Sequence, residues 1–286
     1  LTEFFPRYEE EERVELFAVL GGIPAYLERF SPDLTLRENI QEHLYRRSGL
    51  FRSDPGLIVS DLLRETRVYE SVLRSVAQDN HVFSDIARSA GITNDKLSPY
   101  LRRLVELRLV ERRVPATIPL RQLAKSRMGR YYLRDPYLRF YFRFIEPYLS
   151  ILEYGSPQAL WDRLEDQFNQ FVGLTAFEDL CREWVLAKAK LGELPFKPEI
   201  VGQHWAADAQ IDVVAINWRE KAILLGECKW YGDALQRSVL ADLAAKTNKV
   251  VPGPDWKVHY AIFSRRGLFP LAWRDAEQMN ALVVDT

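Results

Sequence analysis

Asp212, Glu227 and Lys229 are two acids and a base set into otherwise apolar runs. If residues 221–230 (KAILLGECKW) form a strand, side chains alternate across it. Ile223, Leu225, Glu227 and Lys229 then share one face, and Ala222, Leu224, Gly226 and Cys228 the other. Charges that continue an apolar face are unfavourable unless paired, solvated or metal-bound. The run 210–218 poses the same problem, with Asp212 as its one acid among Ile211, Val213, Val214, Ala215 and Ile216. A hairpin around 217–220 pairs the two runs and, in the right register, brings Asp212 near Glu227. Two such carboxylates can hold a hard divalent cation, Mg²⁺ or Mn²⁺, through oxygen. The cation lowers the pKa of a bound water and neutralises charge developing on a phosphate. Lys229 would position or help deprotonate that water, or stabilise pentavalent phosphorus. The carbonyl of Cys228 offers one further oxygen. The plain alternative is a charge-compensated Glu–Lys pair and an unrelated Asp.

These residues need an α/β frame. A long helix is expected over about 160–190, broken near Gly173. Strands are expected at 198–205, 209–218 and 221–230, and a helix over 233–249 with Asp233 as its cap. A strand over 256–264, a helix over 270–280 and a closing strand at 282–284 complete the order αβββαβαβ, a domain with a mixed central sheet over 155–286.

The preceding residues read differently. Residues 1–78 are helical, with segments at 9–30 (interrupted by Gly21, Gly22 and Pro24), 35–47 and 58–78, the last starting at Ser60-Asp61. Over 79–154 a short helix capped by Ser84, a Gly91 turn and a second helix capped by Thr93 or Asn94 precede a hairpin. Its strands are 109–113 and 130–133, and 114–129 is its loop or wing. That is the order of a winged helix-turn-helix. Pro99 fits the second helix only within its first turn. From Lys96 to Arg143 there are thirteen lysines and arginines against three acids, so a DNA-facing surface is expected, with Lys96, Arg102, Arg103, Arg112 and Arg113 as contacts. A solvated basic face is the simpler reading. The aromatic run 137–152 interleaves Arg139 and Arg143 among rings that could stack bases, but helical spacing favours packing.

Composition narrows the classes. Two cysteines, Cys181 and Cys228, make neither a disulfide framework nor a zinc site, and they read as buried thiols. No apolar run reaches the roughly 18–20 residues that span a bilayer, and the acidic, aromatic start is unlike a signal peptide, so a cytoplasmic protein with no membrane partner is expected. His204 could approach a phosphate beside Asp212, and Gln236 and Arg237 could touch DNA or water near the site. His43, His81 and His259 have no catalytic partners in the sequence. The oligomeric state stays open.

Asp212, fourteen intervening residues and Glu227-Cys228-Lys229 resemble the signature of the PD-(D/E)XK nuclease superfamily, whose core is a restriction-endonuclease-like αβββαβ fold. The resemblance implies a third acid from the first helix. Glu178 takes that place, beside the stripe of Phe177, Cys181 and Trp184, with Asp179 and Glu183 as competitors. It therefore implies a metal set of Glu178, Asp212 and Glu227. The whole chain also resembles archaeal and bacterial ATPases that end in a DUF234 domain. That likeness rests on AVLGGIPAYLE (18–28), the winged-helix order, LRDPYLRFYFRF (133–144) and ECKW (227–230). It implies a preceding P-loop ATPase of the AAA+/STAND type, with residues 1–78 as the remainder of its lid. The sequence starts with Leu and holds no Gly-x-x-x-x-Gly-Lys-Ser/Thr loop, so ATP would act only through that missing N-terminal domain. Two functions follow as expectations. One is a Mg²⁺-dependent deoxyribonuclease module joined to a DNA-binding winged helix. The other is a non-catalytic DNA- or protein-binding module that regulates the ATPase.

Overall fold

Helical and strand periodicities separate the chain into two groups of elements. The computed structural model, which describes residues 1–46 and 66–285, folds it as two compact units. One comprises Leu1–Arg113 and Gly129–Phe168, the other Val114–Met128 and Asn169–Thr286.

In the first unit, α1 (Glu10–Leu20) opens with a capping box between Glu9 and Glu12. The single turn α2 (Pro24–Leu27) follows, its start set by the proline. Then comes α3 (Leu36–Ile40), capped by Thr35 and Glu38, which runs into a π turn over Gln41–Tyr45. The expected start at Ser60-Asp61 lies outside the described residues. α4 (Thr66–Ala77), α5 (Phe83–Ala90) and α6 (Asn94–Glu106) precede the antiparallel pair β1 (Val110–Arg113) and β2 (Arg130–Leu133). Val82, not Ser84, is the N-cap of α5, because Val82 is held extended by its bridge to Arg130 and the helix starts directly after it. Pro99 falls in the second turn of α6, where it removes one helical hydrogen bond. Asp135 caps α7 (Pro136–Phe140), which continues as a π turn to Ile145. α8 (Leu149–Tyr154) and α9 (Pro157–Val172) follow. Tyr137, Phe140, Phe142 and Phe144 are buried, Phe140 lies 5.2 Å from Phe144 and Trp161 5.1 Å from Phe168 between ring centroids, and Arg143 is ion-paired to Asp79. The aromatic run is core.

The second unit is built on a five-stranded mixed sheet. A π turn at Gly173–Phe177 breaks the long helix where expected and leads into α10 (Glu178–Leu191). β3 (Ile200–Trp205), β4 (Gln210–Asn217) and β5 (Ala222–Lys229) pair antiparallel in that order. After α11 (Arg237–Val250), β6 (Lys257–Ser264) adds parallel to β5. After α12 (Pro270–Gln278), β7 (Leu282–Asp285) adds parallel to β6. Gln236 is the N-cap of α11, not Asp233, since Leu235 is drawn into a bridge with Leu268 before the helix can begin. Ile211, Val214, Ile216, Ile223, Leu225 and Ile262 pack with Leu240, Leu243, Ala272 and Ala276 of α11 and α12. Among the described residues no helix is long and apolar enough to cross a membrane.

Candidate functional site

The β4–β5 ladder runs from Asn217↔Ala222 to Val213↔Gly226, one pair short of Asp212 and Glu227. β4 stays paired to β3 beyond that point (His204↔Ile211, Trp205↔Gln210), and β5 stays paired to β6 as far as Lys229↔Ser264. The sheet therefore opens between β4 and β5, at the position of the two acids. There Asp212 Oδ2 accepts the backbone N–H of Cys228 at 3.0 Å, so a carboxylate replaces the missing backbone acceptor. Glu227 continues the face of Ile223 and Leu225 toward α11. Its Oε1 accepts from Lys229 Nζ at 2.6 Å and its Oε2 from Lys246 Nζ of α11 at 3.0 Å. Burial raises the pKa of Asp212, and the neighbouring Glu227 charge raises it further. For Lys229 burial opposes the charge, but its bond to Glu227 and the adjacent acids outweigh it, and the ammonium is held above the usual lysine range. Sequence alternation thus placed Asp212, Glu227 and Lys229 together, and the structure brings them together.

Glu178 reaches the same region from the first residue of α10. It is 8% exposed, and its carboxyl is pushed up to about 8, first by burial and then by the Asp212 charge, against the pull of Arg182. Arg182, one turn further on, ties the elements together. Its Nη1 donates to Glu178 Oε2 at 3.3 Å and to the backbone carbonyl of Asp212 at 2.8 Å, and its Nη2 donates to Asp179 Oδ1 at 2.5 Å. Behind them Cys181 and Cys228 are both buried, and burial first, then the neighbouring Cys181, pushes the Cys228 thiol well up. Gly173 permits this approach of helix to sheet, and Gly226 leaves room for side chains of the two strands beside β5. A Cβ at Gly226 would lie 3.0 Å from Val213 Cβ and 3.2 Å from Phe263, and one at Gly173 would lie 3.0 Å from Trp230 Cβ.

Arg182 and Lys246 are the residues that sequence reasoning missed. Both left a signal. Arg182 stands four residues after Glu178 and three after Asp179, the spacing of helical ion pairs. Lys246 stands three after Leu243 and four before Val250, on the buried stripe of α11. His204 is buried, burial lowers its pKa, and its Nδ1 is held 2.7 Å from Thr117 Oγ1, on the side of β3 turned to the segment 114–128, while its Nε2 has no hydrogen-bond partner among the described residues. Arg237 is taken by Asp275 of α12. Lys96, Arg102, Arg103, Arg112 and Arg113 all belong to the first unit, not to the unit of the acids. Lys96 and Arg102 are exposed, Arg103 pairs with Glu106 at 3.5 Å, and Arg113 pairs with Glu111 and lies over the Tyr132 ring.

Whether this arrangement suits a divalent cation turns on its donors. Among the described residues no three of His, Cys, Asp and Glu are grouped as a ready ligand set. Asp212 and Glu227 nonetheless supply the hard oxygens that Mg²⁺ takes. Only one Asp212 oxygen carries a hydrogen bond among the described residues, and the two ammonium groups on Glu227 mark a place where positive charge is stabilised. Glu178, held by Arg182, is the donor least ready to turn toward a cation.

No solved structure matches the chain. It is 32% identical over 268 residues to an uncharacterized protein of Methanocaldococcus jannaschii, an alignment that takes in 93% of this chain and 59% of that protein. The chain thus spans less than two thirds of that relative. Residues 141–240 match the DUF234 family, described as archaea bacterial proteins of unknown function. The matched stretch contains Glu178, Arg182, Asp212, Glu227 and Lys229 and ends within α11, so the helix and both strands that build the notch lie within the part of the chain similar to that family.

Proposed function

We propose that the second unit is a metal-dependent nuclease module of restriction-endonuclease-like type, acting on DNA presented with the help of a winged helix formed by α4–α6, β1 and β2. The opening of the sheet at Asp212 and Glu227, with Lys229 on the rim, carries this reading. Asp212 and Glu227 would hold Mg²⁺ or Mn²⁺, with Glu178 as the third, more buried acid. When bound, the cation supplies Lewis-acid polarisation of the phosphate and offsets its developing charge. Lys229 is the most exposed of the three charged side chains linked at Glu227 and stays protonated. It acts as a donor to a phosphate oxygen, not as a base. The notch keeps the Asp212 carboxylate fixed through the Cys228 N–H, so the acid arrives already oriented. By the likeness to DUF234-bearing ATPases, nucleotide would act through a separate N-terminal domain.

A second reading has its own support. The charges near the notch come close to balance: Lys229 and Lys246 stand against Asp212 and Glu227, and Arg182 against Asp179, while burial pushes the Glu178 carboxyl toward its neutral form. A site close to neutral without a divalent cation fits a module that binds DNA or protein and regulates the ATPase without cleaving. Incubation of the purified protein with single-stranded, duplex and branched DNA in Mg²⁺ or Mn²⁺ separates the two. Metal-dependent cleavage that Lys229→Ala and Glu227→Gln abolish supports the nuclease. Absence of cleavage of every form, with metal binding unchanged in Glu227→Ala, overturns it.

A further inference from the structure

The segment Val114–Met128 connects β1 to β2 in the chain but belongs to the compact unit of the five-stranded sheet. It lies along β3, the outer strand. Ala116 N–H donates to Gln203 O at 2.8 Å, Thr117 Oγ1 meets His204 Nδ1 at 2.7 Å, and Trp205 Nε1 donates to Met128 O at 3.1 Å. Gly202 lets it close in, since a Cβ there would lie 3.3 Å from Ala116 Cβ. Between these anchors the 3₁₀ turn Leu120–Lys125 has no buried residue. The segment contains Arg121, Lys125 and Arg127 and no acid. All three cations are exposed, and none pairs with an acid among the described residues. Elsewhere in the unit exposed cations do have acid partners, as Arg237 has Asp275 and Lys221 has Asp255.

The anchoring residues face the notch through one strand. Gly202 pairs with Val214 and His204 with Ile211, so the irregularity of β3 at residue 203 lies opposite Asp212 and Val213. The lateral order is segment, β3, β4, β5. Three steps of about 4.8 Å put the segment roughly 14 Å from Glu227. Duplex DNA carries one charge per about 1.7 Å of axis, so a backbone that reaches the notch has phosphates within reach of the segment.

We propose that Arg121, Lys125 and Arg127 form a phosphate-contacting ridge that holds a nucleic-acid backbone, independently of sequence, beside the notch between β4 and β5. The ridge rests on the nucleic-acid reading of that notch. A membrane surface would use the same charges, and Leu120 and Met128 of the segment are exposed, but the notch beside the ridge holds carboxylates, which an anionic lipid surface repels.

The test uses the full chain in a cleavage-blocked Asp212→Asn background, with Arg121→Gln/Lys125→Gln/Arg127→Gln added. Duplex DNA binding is titrated from low to moderate salt. Loss of three phosphate contacts lowers the slope of log K against log salt by about 2–3. Thermal midpoints stay equal, because the replaced side chains are exposed. A charge-keeping Arg121→Lys/Arg127→Lys variant retains the parental slope. An unchanged slope in the triple-Gln variant, while the parent binds DNA, overturns the ridge and leaves the notch reading standing. A parent that binds no nucleic acid overturns the notch reading and the ridge with it. Loss of binding to anionic phosphatidylserine vesicles, with DNA binding intact, also overturns the proposal and assigns the cations to a lipid surface.

Discussion

The two units differ in whether the polarity they bury includes charge. In the first, Asn39 is fully buried and satisfied: its two amide N–H groups share the acceptors Tyr8 Oη and the carbonyls of Ser31, Leu34 and Thr35, and its carbonyl accepts from Ser31 N–H. Every member of that network is neutral. In the second, beside neutral groups such as Asn217 and Ser264, the buried set includes a charged pair, Glu178 and Arg182, drawn toward Asp212 and Glu227 at the open end of a sheet. A neutral network of this kind adds stability and fixes a single packing. A buried ionic cluster is a weak source of stability, since desolvation offsets attraction. Its place at a strand opening is where the proposed function would need charged groups.

Four measurements sharpen or break that contrast. Arg182→Met should have the largest effect, about 3–5 kcal/mol in urea unfolding, because it strands Asp179 and Glu178 without a partner. Adding Asp179→Asn and Glu178→Gln should recover much of the loss. If it does not, Arg182 holds the fold by packing and the ionic account is wrong. Asp212→Asn should lower metal-dependent cleavage about a hundredfold or more at nearly unchanged stability, and a collapse in stability instead would make Asp212 a structural acid. Asn39→Ala should cost about 1–3 kcal/mol through the buried groups it leaves unpaired and should not alter cleavage. The smallest effect concerns His81, whose Nδ1–H donates to Tyr131 O at 2.9 Å and whose pKa burial lowers. The folded form resists a proton that the unfolded chain accepts near pH 6.5, so stability falls as pH drops through that value, by less than about 1.4 kcal/mol per pH unit. His81→Asn should flatten that slope, and an unchanged slope would show that His81 is not its source.

Much of the second unit was legible because its signals are local. Alternation in 210–218 and 221–230 fixed which side chains share a face, and a short hairpin fixed the register that aligns Asp212 with Glu227. Gly173 marked the break before α10. What sequence missed depends on distant partners. The caps moved to Val82 and Gln236 because bridges to Arg130 and Leu268 hold the chain extended at those points. Lys246 meets Glu227 only once α11 has packed on the sheet. The loop 114–129 reads locally as a wing between β1 and β2, but most of it is recruited by β3, an outer strand with backbone groups to cover. Pro115 and Pro119 suit it to that place, since prolines cannot extend a ladder and the pairing stops after a single backbone bond.

That recruitment makes the chain pass between the units three times, at 113–114, 128–129 and 168–169. The unit of the five-stranded sheet therefore cannot be excised by one cut. A fragment starting at residue 155 leaves Val114–Met128 behind, strips β3 of its cover and uncovers the indole of Trp205. Such a piece is expected to self-associate through its bare strand edge. The same residues supplied with 114–128 as a separate peptide should stay dispersed.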